Sequence, residues 1–335
     1  FLRKTHNHYL RYLLLCLMVG LVACSNNTKK TPIARPAFSA DSAYLYIAQQ
    51  VQMGPRVPDS KAHTECVIYL VEQLRRFGAE VTLQQARMTN YAGVPQQIFN
   101  VIGHFPADSS RESILLCAHY DSRPWCDQEE DYDLRFQGVP AANDGASGVG
   151  VLLEISRQIQ LLQQQGKPLR TPIDIVFFDC EDMGTPDFYT GLQRENTWCL
   201  GSQLWANEYA FGDNKPVSDK YALGILLDMV GAPNATFPKE YFSIQYAQQY
   251  VDQIWHKAAK LGYSSYFVSA NAYPITDDHY YISSITGIPC VDIINYDATN
   301  NTGFPFWWHT TMDNMNQIDR STLQAVGETV LSCLN

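Results

Sequence analysis

The sequence predicts a single α/β domain with a mixed, mostly parallel twisted sheet and helices on both faces. Three observations lead to this fold class. Short, mostly apolar runs alternate with amphipathic helical stretches, which is typical of a mostly parallel sheet covered by helices on both faces. The chain has 335 residues, of which 46% are hydrophobic and 17% charged. That composition suits one large folded core.

The elements follow in order along the chain. Helices are predicted where apolar residues recur every three or four positions, and strands where short aliphatic runs end at polar residues. The predicted helices cover 42–53, 63–77, 147–162, 241–261 and 321–334. The predicted strands cover 98–103, 114–118, 173–178, 222–229 and 288–294.

The N-terminus carries the pattern of an export signal. Basic residues precede an apolar run at 12–23 that is too short for an ordinary membrane span. The end of that run, Leu-Val-Ala followed by Cys24, resembles the lipobox of bacterial lipoproteins, although a plain secretory signal is the alternative. We therefore expect a signal peptide at 1–24, a polar tether at 25–37 and the folded domain at 38–335. The expected location is the periplasmic side of a bacterial envelope, and a lipid on Cys24 is expected to anchor the chain to the outer membrane.

Charge and cysteine content exclude two classes of protein. The formal charge is -10, the pI is near 5.2, and no sustained basic run follows the first residues, so nucleic-acid binding is not expected. Nine cysteines are present, and seven remain once Cys16 is assigned to the signal peptide and Cys24 to the lipid anchor. No CxxC pair occurs, so neither a zinc knuckle nor a full disulfide framework is indicated, while one or two disulfides stay open.

Polar residues follow the predicted strands in a consistent way. The carboxyl ends of parallel strands meet at one edge of a sheet, where ligands bind. Each residue taken singly has an ordinary structural explanation, such as a turn or a buried histidine. Several carboxylates at one edge are costly without a cation, and oxygen and imidazole ligands without thiolates suit catalytic zinc. The residues are His119, Asp144, Glu181, Asp182, Asp228, Asp277 and His309.

Five segments resemble the zinc aminopeptidase superfamily that also contains the animal-type glutaminyl cyclases. They are HYD at 119–121, NDGASGV at 143–149, FFDCED at 177–182, DHYYISSITGIPC at 278–290 and WHTTMD at 308–313. The resemblance covers nearly all of the chain after residue 40, including MGPRVPDS at 53–60.

Carried over by position, the resemblance assigns roles to these residues. It implies that Asp144, Asp182 and His309 bind one zinc ion and that Glu181 is the general acid/base. In the two-metal aminopeptidases, a second zinc uses the equivalents of His119 and Asp228, with Asp144 bridging; the same residue types are present here. Asp182 departs from the pattern, because many relatives carry glutamate there.

Two local features favour the cyclase branch. Aminopeptidases of the superfamily usually have serine where Asp277 stands and tyrosine where Trp308 stands. Two carboxyl groups in contact share a proton, so Asp277 is expected to make Asp228 a poor ligand for a second zinc. The indole of Trp308 offers a flat wall for a small side chain. Trp198, in the long aromatic segment 183–200, is expected to form another wall.

The expected function is therefore that of a glutaminyl-peptide cyclotransferase. Such an enzyme converts the N-terminal glutamine of peptides and exported proteins to pyroglutamate and releases ammonia, with one zinc ion as Lewis acid. Two alternatives remain: an aminopeptidase with two zinc ions, and a lipoprotein that binds peptides without catalysis.

Overall fold

The computed structural model describes residues 38–107, 109, 111–167, 169–212 and 220–334. The predicted signal peptide with Cys24 and the tether at 25–37 lie outside the described residues. The strands are β1 (Glu80–Thr89), β2 (Pro95–Phe105), β3 (Ser113–His119), β4 (Ile173–Phe178), β5 (Tyr221–Asp228), β6 (Phe237–Lys239), β7 (Phe267–Asn271) and β8 (Cys290–Ile294). The α-helices are α1 (Ala40–Gln52), α2 (Lys61–Arg76), α3 (Ala146–Gln164), α4 (Leu200–Phe211), α5 (Tyr241–Leu261), α6 (Asp278–Thr286) and α7 (Arg320–Cys333).

Six strands form the central sheet in the order β1-β2-β4-β3-β5-β8. The four strands β4, β3, β5 and β8 run parallel, whereas β1 and β2 add an antiparallel edge. Every residue of β3, β4 and β8 is buried, as expected for parallel strands covered on both faces. The predicted mixed, mostly parallel sheet is confirmed. β6 and β7 form a separate two-stranded sheet.

Helices cover both faces of the sheet, and alternate strand residues point to the two sides. Leu116 and Phe177 belong to the larger core, which includes buried residues of α1, α2, α3, α5 and α7. Leu115 and Val176 face the smaller core, together with α4 and α6. This period of two is the geometry of extended backbone. Within the described residues, no helix combines the length and hydropathy needed to cross a bilayer.

The helix boundaries show how capping extends two of the predicted helices. The hydroxyl of Ser39 accepts a hydrogen bond from the backbone N–H of Ser42, and Ser60 does the same for His63. N-cap residues of this kind satisfy N–H groups that lack a partner inside the helix. As a result, α1 and α2 each begin two residues before the predicted starts at 42 and 63. The seven cysteines of the described part are all free, so none of the disulfides left open by the sequence is formed there.

Asp174 is a buried carboxylate of β4 whose removal should lower stability in a pH-dependent way. It accepts hydrogen bonds from Lys220 Nζ at 2.6 Å and from Tyr221 Oη, and it contacts His104. Burial alone raises the pKa of Asp174, but Lys220 and the hydrogen bonds lower it by more, so the net pKa lies below its usual value. The carboxylate therefore stabilises the folded chain above the unfolded-state pKa of about 3.9, and this contribution is lost as the pH falls through the lower folded-state pKa.

We expect Asp174→Asn to lower the free energy of unfolding at pH 7 by about 1.5–3 kcal/mol, the range for hydrogen bonds to a charged group. The difference between variant and wild type should shrink below about pH 4. Urea denaturation at several pH values measures it. Asp252→Asn is the control, because Asp252 forms its ion pair with Lys239 at the surface. A difference in the free energy of unfolding between Asp174→Asn and wild type that stays constant down to pH 3 would contradict the prediction.

Candidate active site

The carboxyl edge of the parallel strands brings the candidate residues together. His119 is the last residue of β3 and Asp228 the last of β5, while Glu181 and Asp182 follow β4 closely. Asp144 lies in the turn before α3. Two further candidates come from loops at the same edge: Asp277 is the N-cap residue of α6, and His309 lies between β8 and α7.

Asp144 is at the centre of two overlapping groups of donor atoms. Its Oδ1 lies 3.1 Å from His119 Nε2, and its Oδ2 lies 3.4 Å from His309 Nε2. Asp182 Oδ1 is 3.2 Å from the same nitrogen of His309. One group is Asp144, Asp182 and His309, and the other is His119, Asp144 and Asp228; in each, the donor atoms lie within 4.8 Å of one another.

The chemistry of the first group fits a zinc ion. All of its donors are buried, and they consist of carboxylate oxygens and an imidazole nitrogen, which suit zinc in an open catalytic site. Burial by itself lowers the pKa of His309, but Asp182 and the other carboxylates raise it to about 10. Burial likewise lowers the pKa of His119, and its three aspartate partners raise it well above the usual range. The pocket thus favours positive charge, which a divalent cation supplies.

Two buried aspartates fix the backbone that carries the candidate ligands. Asp121 accepts hydrogen bonds from the N–H groups of Glu181 and Asp182, both at 3.1 Å. Asp313 accepts from the N–H groups of Asn143 at 2.8 Å and Asp144 at 3.0 Å. The sequence analysis did not select these two aspartates, although each lies inside a quoted motif. The sequence signal that could have identified them is their spacing from the candidate histidines: Asp121 lies two residues after His119, and Asp313 lies four residues after His309.

Glu181 lines the pocket and is 9% exposed. Cys199 Sγ donates a hydrogen bond to its Oε1 at 3.1 Å, and the backbone N–H of Cys199 donates to its carbonyl oxygen at 2.8 Å. Burial raises the pKa of the Cys199 thiol well above its usual range, so the thiol remains a donor. Burial also raises the pKa of Glu181, with His119 opposing and Asp277 adding to the effect. A carboxyl group with a raised pKa suits proton exchange near neutral pH.

Asp228 and Asp277 both line the pocket beside Glu181. Burial chiefly raises the pKa of Asp228 to about 7, with His119 opposing and Asp144 and Asp277 contributing to the rise. Burial raises the pKa of Asp277 as well. Asp277 has an oxygen within 4.8 Å of both a Glu181 oxygen and the Cys199 sulfur.

Aromatic rings stack around His309. The Trp308 indole lies 3.5 Å from the imidazole, centroid to centroid, at an interplanar angle of 23°. Phe304 packs on Trp308 at 4.7 Å, and Trp198 lies parallel to the imidazole at 6.3 Å. Trp198 packs so closely on Gly184 that a Cβ there would lie 1.8 Å from the indole. Trp307, by contrast, is part of the hydrophobic core.

The pocket that contains these residues has a volume of about 550 Å³. Asp144, Glu181, Asp182, Trp198 and Trp308 line one part of it. The sequence analysis missed a further part of the wall, which includes Tyr273, Pro274, Ile275, Tyr296 and segment 300–304. No residue of that wall carries a charge or stands beside a quoted ligand, so only the fold shows its position. The size is ordinary for a small-molecule or side-chain pocket.

Backbone strain accompanies the candidate site. Cys180, Cys199, Met229 and His309 all have positive φ values, between 48° and 55°, although none is glycine. Left-handed backbone is unfavourable for residues with a Cβ, and it concentrates where function constrains the chain. Each of the four is a candidate residue, or lies beside one, or contacts one.

Comparison with known proteins places this site in a family. The family model described as Peptidase family M28 matches residues 100–334. The crystal structure of Tannerella forsythia glutaminyl cyclase is 48% identical over 89% of this chain and 99% of that chain, with a TM-score of 0.82. A structure from Parabacteroides distasonis, described as a Zn-dependent exopeptidase, is 47% identical over 90% of this chain and 99% of that chain, with a TM-score of 0.83.

A more distant curated relative is the glutaminyl-peptide cyclotransferase of Boiga irregularis. It is 26% identical over 249 residues, which are 68% of this chain and 62% of the relative. The chain thus spans less than two thirds of that protein's length. The names of these relatives divide between exopeptidase and glutaminyl cyclase, so the residues of the pocket have to distinguish the two activities.

Proposed function

The chain belongs to peptidase family M28, and within that family we propose that it is a glutaminyl-peptide cyclotransferase. The observation that carries the proposal is the placement of Asp277 beside Glu181, where the aminopeptidases that the sequence resembles carry serine. The 48% identity to a structure named as a glutaminyl cyclase supports it. The proposed substrates are peptides and exported proteins with an N-terminal glutamine.

Asp144, Asp182 and His309 would hold one zinc ion. When bound, zinc acts as a Lewis acid that polarises the side-chain amide carbonyl of the glutamine. Trp308 supports this site from its stacked position on His309 and provides a flat wall for the aliphatic part of the glutamine side chain. The α-amine and the amide belong to the same residue, so the pocket mainly has to hold a folded-back conformer.

Glu181 carries the proton through the reaction. Its carboxylate takes a proton from the α-amine, whose nitrogen attacks the amide carbon and closes the five-membered ring. The bond from that carbon to the amide nitrogen then breaks, and Glu181 returns the proton to the departing ammonia. Asp228 and Asp277 lie in the same pocket and are suited to accept hydrogen bonds from the α-amine. Both proton transfers by one residue match its raised pKa.

A zinc aminopeptidase is the second candidate, because the group of His119, Asp144 and Asp228 has the spacing for another metal ion. In that case Glu181 would activate water and two zinc ions would bind. The test compares ammonia release from a glutamine-initiated dipeptide amide with leucine release from a leucyl chromogenic substrate, using residues 38–335 with zinc supplied. Ammonia release without leucine release supports the cyclase, and leucine release alone supports the aminopeptidase.

Replacing Trp308 should weaken substrate binding specifically. We expect Trp308→Ala to raise KM for the dipeptide amide by about 30- to 150-fold, since an indole that packs on a bound side chain contributes about 2–3 kcal/mol. Steady-state kinetics at saturating zinc measure it. Phe306→Ala is the control, because Phe306 is 71% exposed two residues away. An unchanged KM in the Trp308 variant would show that the indole does not contribute to substrate binding.

We further propose that the chain is an exported lipoprotein anchored through Cys24, on the support of the signal-like run at 12–23 and the lipobox that follows it. Expression of the full chain in a bacterium with labelled fatty acid tests this. Label should enter the wild type and be absent from Cys24→Ser. Secretion of an unlabelled wild-type protein would instead indicate a plain signal peptide.

A further inference from the structure

Arg123 is a buried cation beside the candidate active site with no role in the mechanism above. Its side chain is 1% exposed, and a guanidinium in such a position is costly unless its donors are satisfied. Nε and Nη2 donate to the two carboxylate oxygens of Asp127, at 2.8 and 2.5 Å. Nη1 points the other way, towards the carbonyl oxygen of Asp182 at 3.1 Å and its Oδ1 at 3.3 Å. The guanidinium therefore joins Asp127 to a candidate zinc ligand.

Asp127 in turn faces the second candidate ligand. Its Oδ1 lies 3.5 Å from Nδ1 of His309, and Nε2 of the same ring faces Asp144 and Asp182. A metal-binding histidine usually gives its other N–H to a carboxylate, which fixes the tautomer and the orientation of the ring.

The guanidinium also supports the pocket wall. Its central carbon lies 4.7 Å from the centroid of the Trp198 indole, within the range of a cation–π interaction. Trp198 lines the pocket and lies parallel to His309. The buried ion pair therefore contacts two candidate ligands, Asp182 and His309, and also the Trp198 indole of the pocket wall.

We propose that Arg123 and Asp127 are positioning residues that couple the zinc site to the substrate pocket. Asp127 orients His309, and Arg123 holds Asp182 and Trp198 in a fixed relation to it. The part of the proposal that concerns zinc is independent of the reaction catalysed, whereas the part that concerns the wall rests on the proposed cyclase function. A purely structural ion pair would affect folding but neither zinc affinity nor KM.

Zinc affinity provides the first test. Metal-depleted wild-type protein and the variants Asp127→Asn and Arg123→Lys are titrated with zinc against a chromogenic chelator. We expect the affinity of each variant to be about 10- to 100-fold weaker, the range for loss of a residue that supports a metal ligand. Arg157→Met is the control, because Arg157 also donates two hydrogen bonds to one carboxylate, that of Glu154 on α3, and neither residue lines the pocket.

Thermal unfolding of the metal-free proteins separates this effect from general destabilisation. The Arg123→Lys variant keeps the charge and should melt closer to the wild-type temperature than Arg123→Met, while still binding zinc more weakly than the wild type. Wild-type zinc affinity in both variants, or an equal loss in Arg157→Met, would overturn the proposal.

Kinetics at saturating zinc provide the second test. Arg123→Met should raise KM for the glutamine dipeptide amide about 10-fold, because Trp198 loses its support, and Arg123→Lys should restore part of the loss. Arg157→Met should leave KM within about twofold of the wild type, because Arg157 pairs with Glu154 on α3 and does not line the pocket. Equal KM values in all variants would overturn the proposal that Arg123 supports the Trp198 wall of the pocket. If the wild type releases no ammonia, the proposed function fails while the zinc titration still decides the role of the pair.

Discussion

Glu181→Gln is expected to lower kcat for glutamine cyclisation by a factor of about 10² to 10⁴, the usual contribution of general acid–base catalysis. Glutamine has nearly the shape of glutamate and can still accept the hydrogen bond from Cys199, but it cannot take or return a proton. Zinc content should be unchanged, because the candidate ligands are Asp144, Asp182 and His309 rather than Glu181. Ammonia release and metal analysis on the same preparation measure both quantities.

The control for this experiment is Glu195→Gln, an exposed glutamate in the same segment between β4 and α4. It should retain wild-type kinetics. A Glu181→Gln variant as active as the wild type would exclude Glu181 as the base. A wild-type protein that binds glutamine-initiated peptides with zinc present but releases no ammonia would instead favour the peptide-binding alternative.

His309→Ala should abolish stoichiometric zinc binding and lower kcat/KM by a factor of about 10³ or more. Zinc is worth several kcal/mol of transition-state stabilisation, and each 1.36 kcal/mol corresponds to a factor of ten. The substitution removes the nitrogen that faces both Asp144 and Asp182, which leaves two buried carboxylates without a positive partner between them. Metal analysis after dialysis and steady-state kinetics measure the two effects.

Two comparisons sharpen this result. His256→Ala, an exposed histidine on α5, should retain wild-type zinc content and activity. His119→Ala distinguishes the two zinc stoichiometries: a cyclase with one zinc keeps one equivalent, whereas an aminopeptidase with two falls from two equivalents to one. Full zinc retention in His309→Ala would mean that another residue of the pocket is the third ligand.

The elements that the sequence predicted well are those with one dominant signal. β4 and α5 have the predicted boundaries, because β4 is apolar apart from Asp174 and α5 is a long amphipathic helix. β1 was missed because it lies at the sheet edge with every residue at least partly exposed, so it lacks an apolar run. α6 was missed because it has only nine residues, too few for a helical period to stand out.

The candidate site divides in the same way. The candidate ligands and Glu181 were found because each lies in a quoted motif, after a strand or in a loop before a helix. Arg123, Asp127 and Cys199 were not, because their roles depend on contacts that no local pattern encodes. Asp127 is 182 positions from His309 in the sequence, and only the path of the sheet brings the two side chains to 3.5 Å. The residue types of an ion pair do not show from the sequence whether the pair is buried or exposed.

The left-handed backbone at Cys180, Met229 and His309 has a consequence for the evolution of this protein. Each such residue lowers stability by about 1 kcal/mol relative to glycine, which adopts the same angles without a Cβ. Selection for heat resistance alone would therefore favour glycine at Met229, where no ligand or base would be lost. Selection for turnover would favour a residue that restricts the backbone over glycine, which leaves the backbone more freedom. The pocket rim is thus a place where thermal tolerance and catalytic fitness are expected to diverge among descendants of this sequence.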